Sequence, residues 1–300
     1  MGWASRAITA TLLVTTSVAN AACRLERRAE VRLRIVEDFP VVAASIGTTA
    51  VSFLLDTGAQ GHLVLPGAAM ALRLPVLPGT VPIIGTGGAR EAPVVMLEGV
   101  QLGGVKLPPT PTPVSDLPAL PKLTPMLAGL LGAPLLASYD LDLEAAAGRL
   151  GLYEAGACGT ATPALGPRMT VVPLTITPAR EALLTVRVNG QDLIALLDTG
   201  SRATLLTQEA GRRLGLRAPV SANTARGVDG ELLPLEHVRV REMAVGGDVR
   251  RDVPVSIAPL QLGRAEMLLG LDYLRQRRVW ISYATGQLAI ALPNPAPSAR

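Results

Sequence analysis

Histidine and cysteine are nearly missing from this chain of 300 residues: His62, His237, Cys23 and Cys158 are all it has. Four such residues cannot build a Cys/His zinc centre unaided. Aromatic residues make up only 3%, too few for the stacking platforms that grip single-stranded nucleic acid. Lysine occurs only at Lys106 and Lys122, against 26 arginines (28 − 2). That imbalance reads as compositional bias, because the net charge of +4 is thinly spread and forms no polybasic patch. Charged residues are 17% of the chain, which excludes a disordered polar polymer. Long apolar runs are missing too. Leu127–Ala137 is interrupted by Pro134 and is too short to cross a bilayer. What the chain does have is a hydrophobic fraction of 49% with Gly 30 and Pro 25, a composition for many short strands joined by turns.

The amino terminus has the pattern of an export leader over residues 1–22. Met1–Arg6 is basic, Ala7–Val18 is apolar, and Ala19-Asn20-Ala21 supplies small residues at a cleavage site. In an oxidising compartment the expectation is a disulfide between Cys23 and Cys158. Two unpaired buried cysteines are the alternative. A third option, a lipid on Cys23 tethering the protein to a membrane, meets Asn20 where the lipid-attachment pattern has Leu.

The chain repeats itself. Phe53-Leu54-Leu55-Asp56-Thr57-Gly58-Ala59 returns as Ala195-Leu196-Leu197-Asp198-Thr199-Gly200-Ser201, 142 positions on (198 − 56). Gly85-Thr86-Gly87-Gly88 meets Gly227-Val228-Asp229-Gly230 at the same offset. Leu130-Leu131-Gly132 meets Leu268-Leu269-Gly270 at an offset of 138 (270 − 132). Kept order and spacing point to a fused duplication.

Each half reads as a set of hairpins with two short helices. Strands are expected at Val41–Ile46 and Val51–Leu55, and at Leu183–Val188 and Leu193–Leu197 about the turn Asn189-Gly190. Helices are expected at Pro66–Leu72 and Glu209–Leu214, the latter capped by Thr207, and at Pro134–Tyr139 and Asp272–Arg277. Each half closes with a hairpin, Leu141–Tyr153 or Val279–Leu292. The fold class is all-β with short helices, in two lobes. The N-terminal lobe spans 23–154, a linker 155–168, the C-terminal lobe 169–292 and a frayed tail 293–300. The proline-rich run Leu107–Pro125 has no equally proline-rich counterpart and reads as an irregular loop.

A carboxylate at the end of an apolar strand is costly unless the chain turns and hydrogen-bonds it. Gly58 and Gly200 permit such a turn, and the Thr57 and Thr199 hydroxyls can bond backbone outside their own loops. If the lobes pack about a pseudo-twofold axis, Asp56 and Asp198 meet on it and share a proton. One carboxyl can then activate a water while the other protonates a carbonyl, a route to peptide hydrolysis without metal, cofactor or covalent intermediate. His62 fits a local hydrogen bond better than a catalytic base. A Ser-His-Asp site built on Ser201 would leave the duplication unexplained. The Ser201 hydroxyl beside Asp198, where the first copy has Ala59, is expected to stabilise the ionised Asp198 and leave the shared proton on Asp56.

Two copies of apolar-apolar-Asp-Thr-Gly-Ala/Ser, each followed by a Gly-rich hairpin and by apolar-apolar-Gly before a helix, resemble the retropepsin-like aspartic proteases. The run Leu268–Leu274 is similar to their bacterial exported branch. The resemblance covers Val41 to Leu292 and implies two protease lobes of retropepsin-like or pepsin-like form. It implies Asp56 and Asp198 as the catalytic pair, supported by Thr57, Gly58, Ala59, Thr199, Gly200 and Ser201. It also implies Gly85–Gly88 and Gly227–Gly230 as flaps over an extended peptide, although neither contains an aromatic residue. Gln60 and Arg202 stand where retroviral members commonly carry an aspartate of an interface ion-pair network. The expectation is an exported bacterial endopeptidase, periplasmic or secreted, acting on peptide or protein as a monomer. A non-catalytic peptide-binding protein of the cell envelope, and a dimer with swapped halves, are the alternatives.

Overall fold

The computed structural model describes residues 25–84, 89–117, 120–157, 159, 163, 165–217, 224–226 and 232–293. Both cysteines and both Gly-rich hairpin tips, 85–88 and 227–230, lie outside the described residues.

The apolar ends of the strands that carry the two aspartates, Phe53-Leu54-Leu55 and Ala195-Leu196-Leu197, are buried on both faces, the environment an unbroken hydrophobic run requires. In the first half, strand Thr49–Leu55 runs antiparallel to Phe39–Ile46 and parallel to Leu127–Leu131. Register sets Leu54 beside Leu130 and Leu55 beside Leu131, and Leu127–Leu131 in turn pairs antiparallel with Leu63–Val64. The second half repeats this. Strand Gln191–Leu197 pairs with Ala182–Val188 and runs parallel to Met267–Leu269, with Leu196 beside Leu268 and Leu197 beside Leu269. Met267–Leu269 pairs antiparallel with Leu205–Thr207.

Alternation along these strands divides the leucines between two sides. Phe53, Leu55, Ala195 and Leu197 enter one apolar cluster that runs unbroken through both halves. Leu54 and Leu130 join a smaller cluster in the first half, and Leu196 and Leu268 join its counterpart in the second. The glycine that ends each Leu-Leu-Gly is there for close approach. A Cβ on Gly132 would lie 2.1 Å from the Gly61 carbonyl oxygen, and one on Gly270 would lie 2.5 Å from that of Ala203.

The halves are joined by a shared sheet. Strand Tyr139–Glu144 pairs antiparallel with Arg278–Ser282, Leu141 opposite Ile281 and Leu143 opposite Val279. Outward on one side lie Arg149–Glu154 and Arg27–Val36, and on the other Gln287–Ala291 and Met169–Pro173. Across the central seam Arg278 holds the buried Asp142 through two bonds of 2.9 and 2.8 Å, the paired-fork geometry that arginine favours.

Several expectations change in detail. The helices expected at Pro134–Tyr139 and Asp272–Arg277 are Ala133–Leu136 and Leu271–Leu274, each starting directly after the Leu-Leu-Gly glycine. The helix expected at Pro66–Leu72 is Pro66–Ala71. The one expected at Glu209–Leu214 is Gln208–Arg213, with the Thr207 hydroxyl accepting from the Ala210 N–H. The proline-rich run is not wholly irregular, because Thr110–Pro113 adds to Ala89–Leu97 as a strand. Its Leu117, Leu120 and Leu123 pack on the Leu54 cluster. Within the segment read as a linker, Leu165 is buried against Trp280 and Ala289.

Candidate active site

The two Asp-Thr-Gly loops meet at the pseudo-twofold axis. Asp56 leaves its strand with its N–H on the Leu131 carbonyl (3.0 Å), and Asp198 leaves with its N–H on the Leu269 carbonyl (3.1 Å). The chain then turns back on each carboxylate. Gly58 and Ala59 donate their N–H groups to Asp56 Oδ1, both at 3.0 Å, while Gly200 and Ser201 donate to Asp198 Oδ1 at 2.9 and 3.0 Å.

The threonines tie one loop to the other. The Thr57 hydroxyl donates to the Leu197 carbonyl (2.8 Å) and accepts from the Thr199 N–H (3.0 Å). The Thr199 hydroxyl donates to the Leu55 carbonyl (2.7 Å) and accepts from the Thr57 N–H (3.0 Å). Both side chains are fully buried, so these four reciprocal bonds are made away from competing water.

Held this way, each carboxyl packs on the glycine of the opposite loop. A Cβ on Gly58 would sit 2.5 Å from Asp198 Cγ, and one on Gly200 would sit 2.4 Å from Asp56 Cγ. The two carboxyls thus lie side by side across the loop glycines. Burial raises both well above the usual carboxylate range, and the charge of Asp198 adds to the effect on Asp56, which is pushed up to about 8. Each aspartate keeps a partly open face. Two carboxyls in contact cannot both ionise, so the pair holds one proton into the neutral range and titrates as a unit.

The expected part for the Ser201 hydroxyl is not seen. It donates to the Ala203 carbonyl at 2.8 Å, and only the Ser201 N–H serves Asp198. Asp56 receives the matching N–H from Ala59, so the loops support their carboxylates alike. His62 Nδ1 accepts from the Gly132 N–H at 3.1 Å, and its repeat partner Thr204 accepts from Gly270 through its hydroxyl at 3.3 Å. His62 therefore stands as a loop brace whose burial favours the neutral ring. His237 Nδ1 engages Ser256, so neither histidine attends Ser201.

Gln60 and Arg202 reach across the lobes, and neither joins an ion pair among the described residues. Gln60 donates to Glu181 at 2.8 Å, and Arg202 lies over the Phe39 ring at 5.1 Å. Sequence reasoning passed over one buried phenol. Tyr283 is buried, and burial and then the charges of Asp56 and Asp198 raise its phenol. Its repeat counterpart is Ala145 (283 − 138), an asymmetry that could have singled it out.

Two family models match, one per half. Residues 42–135 match the family described as "Aspartyl protease", and residues 184–276 match "gag-polyprotein putative aspartyl protease". The starts of the two matches lie 142 positions apart (184 − 42), the spacing of the repeat itself. DNA damage-inducible protein 1 of Yarrowia lipolytica (strain CLIB 122 / E 150) is 30% identical over 107 residues, 35% of this chain and 26% of that protein. The chain thus spans about a quarter of that relative's length. A retropepsin-like aspartic protease from Rickettsia conorii is similar at 16% identity and a TM-score of 0.34, over 41% of this chain and 99% of the other.

Proposed function

The chain belongs to the retropepsin-like aspartic protease family with one unit in each half, and on that premise we propose that it is an endopeptidase whose water is activated between Asp56 and Asp198. What supports this reading is the reciprocal threonine bonding, which draws the two Asp-Thr-Gly loops of one chain together so that each carboxyl packs on the opposite loop's glycine.

In the first step the ionised carboxylate takes a proton from a water bound between the pair, and that oxygen attacks the scissile carbonyl carbon. The protonated carboxyl gives its proton to the carbonyl oxygen, so a neutral diol forms and the proton count on the pair is unchanged. In the second step the C–N bond breaks. The carboxyl that gained the water's proton passes it to the departing nitrogen, and the other recovers one from a diol hydroxyl as the new carboxylic acid forms. The loop N–H bonds to each Oδ1 leave the outer oxygens for this traffic.

The same proposal takes Gly85–Gly88 and Gly227–Gly230 as the substrate-covering tips, a disulfide between Cys23 and Cys158, and a monomer exported behind the leader at 1–22. The test is incubation of the mature protein with a mixed peptide library from acid to neutral pH, with its mass measured in solution. Cleavage by a species of one chain's mass is the expected result. Peptides retained but uncut at every pH would establish the peptide-binding alternative, and a two-chain mass would favour swapped halves.

Crowding at the glycines gives a second check. Gly58→Ala puts a methyl 2.5 Å from Asp198 Cγ, forcing the carboxyls apart. A displacement near 1 Å at reacting groups costs about 100-fold in rate. The expected outcome is a folded protein with kcat/KM lowered by about that factor. Wild-type kinetics in Gly58→Ala would mean that the pair tolerates separation.

A further inference from the structure

Each aspartate loop is pinned to the start of the helix after its Leu-Leu-Gly by two bonds, and the two halves make the second bond with different chemistry. In the first half the Ala133 N–H donates to the Ala59 carbonyl (2.9 Å), and the Gly132 N–H donates to His62 Nδ1 (3.1 Å). In the second half the Leu271 N–H donates to the Ser201 carbonyl (2.8 Å), and the Gly270 N–H donates to the Thr204 hydroxyl (3.3 Å). Thr204 in turn donates to Asp272 at 2.8 Å. A hydroxyl accepts such a bond at any pH. An imidazole nitrogen accepts it only while unprotonated, so the bond from Gly132 requires the neutral His62 ring with its proton on Nε2.

From this difference we infer that His62 is a positioning residue for Asp56: the neutral ring holds the Asp56 loop on Gly132, and a proton on Nδ1 releases that hold, so that acid loosens one side of the catalytic pair and spares the other. The inference rests on the reading of Asp56 and Asp198 as that pair. The path from ring to carboxylate is short. Ala59, whose carbonyl the neighbouring bond holds, also donates its N–H to Asp56 Oδ1 at 3.0 Å. Protonation turns the contact with Gly132 into donor against donor and leaves the N–H of a buried residue without its acceptor. The chain packed about the ring, Gly61, Leu63, Gly132, Ala133 and Pro134, carries no charge to oppose or assist the change. Burial is what lowers the ring's pKa from its ordinary 6.5. Because it is lowered on folding, the neutral ring contributes stability that is complete above pH 6.5 and is lost as pH falls through the folded value.

The test uses the whole chain and begins without substrate. The His62 ring and the Gly132 and Gly270 amides are followed by NMR against pH. The Gly132 amide should move with the midpoint of the His62 ring, below 6.5, while Gly270 does not share that midpoint. A Gly132 amide indifferent to the His62 titration overturns the inference and leaves His62 as packing. His62→Thr, which copies Thr204 onto the matching turn, supplies the kinetic reading, each profile being scaled to its own value at neutral pH. About one pH unit below the measured His62 midpoint, an activity that follows the neutral fraction should have fallen about tenfold further in the wild type than in His62→Thr. Profiles that coincide overturn the inference. If His62→Thr does not fold, His62→Asn, whose side-chain oxygen accepts without titrating, takes its place under the same criterion. The amide titration reads the release of Gly132 with no peptide present, so absence of cleavage would count against the protease reading alone.

Discussion

Asp56→Asn yields a folded protein with kcat/KM reduced by about 10³ to 10⁴, the loss expected when a general acid–base group is removed. Asp198→Asn should do the same, because each step of the proposed hydrolysis uses both carboxyls. Groups that act as a unit are not additive, so the double variant should be hardly worse than either single one. Peptide cleavage kinetics on the three proteins check this, and retained activity in either single variant would place the chemistry elsewhere. The same substitution has an opposite effect on stability. The Asp56 carboxyl rises from an ordinary 3.8 to about 8 on folding. The protonated form therefore contributes stability that is complete below pH ~4 and is lost as pH rises through ~8. Asparagine, which carries no charge, escapes that loss. Asp56→Asn should be the more stable protein at pH 8 by about 1 to 3 kcal/mol, well under the full shift because the pair shares a proton and keeps an open face. The difference should shrink toward pH 4, and thermal unfolding across that range measures it.

The second large effect falls on the threonines. Thr57→Val keeps the shape of the side chain but strands the Thr199 N–H and the Leu197 carbonyl, both of which the Thr57 hydroxyl serves. Each buried group left unpaired costs about 1 to 3 kcal/mol, so a loss of roughly 2 to 5 kcal/mol is expected for either Thr57→Val or Thr199→Val. That is a large share of the ~5–15 kcal/mol that holds a typical domain together. Thr57→Ser retains the hydroxyl and should come within about 1 kcal/mol of wild type. Denaturant unfolding of the three variants separates the hydroxyl from the methyl. Equal losses in Ser and Val would show that packing, not hydrogen bonding, joins the loops.

The candidate site was legible in the sequence because its motif is written twice. Paired leucines before each Asp-Thr-Gly, and a Leu-Leu-Gly downstream of each, are local patterns whose meaning comes from their repetition, and the strands they form pair as the duplication implies. What stayed hidden depends on tertiary context. Arg27–Val36 looks like a charged leader junction, yet it is a strand with Ala29, Val31 and Leu33 turned inward and Arg28, Glu30 and Arg32 outward. The long hairpin of Glu236–Val245 and Asp248–Ala258 was missed for the same reason, since mixed charge along a strand resembles a solvated loop. The Ser201 hydroxyl stands beside Asp198 in sequence but turns to Ala203 in space. Tyr283 is far from either aspartate along the chain, yet it joins the same apolar cluster as Leu55 and Leu197, which precede them.

That shared sheet has an evolutionary consequence. In a protease assembled from two identical chains, every substitution appears on both sides of the axis, so a change that helps one carboxyl and harms the other has no net route to selection. Joining the copies in one chain, with Tyr139–Glu144 laid against Arg278–Ser282, frees each side to change alone. The differences already visible, His62 against Thr204, Gln60 against Arg202 and Ala145 against Tyr283, are the divergence of two gene segments that share one duty and no longer need to match.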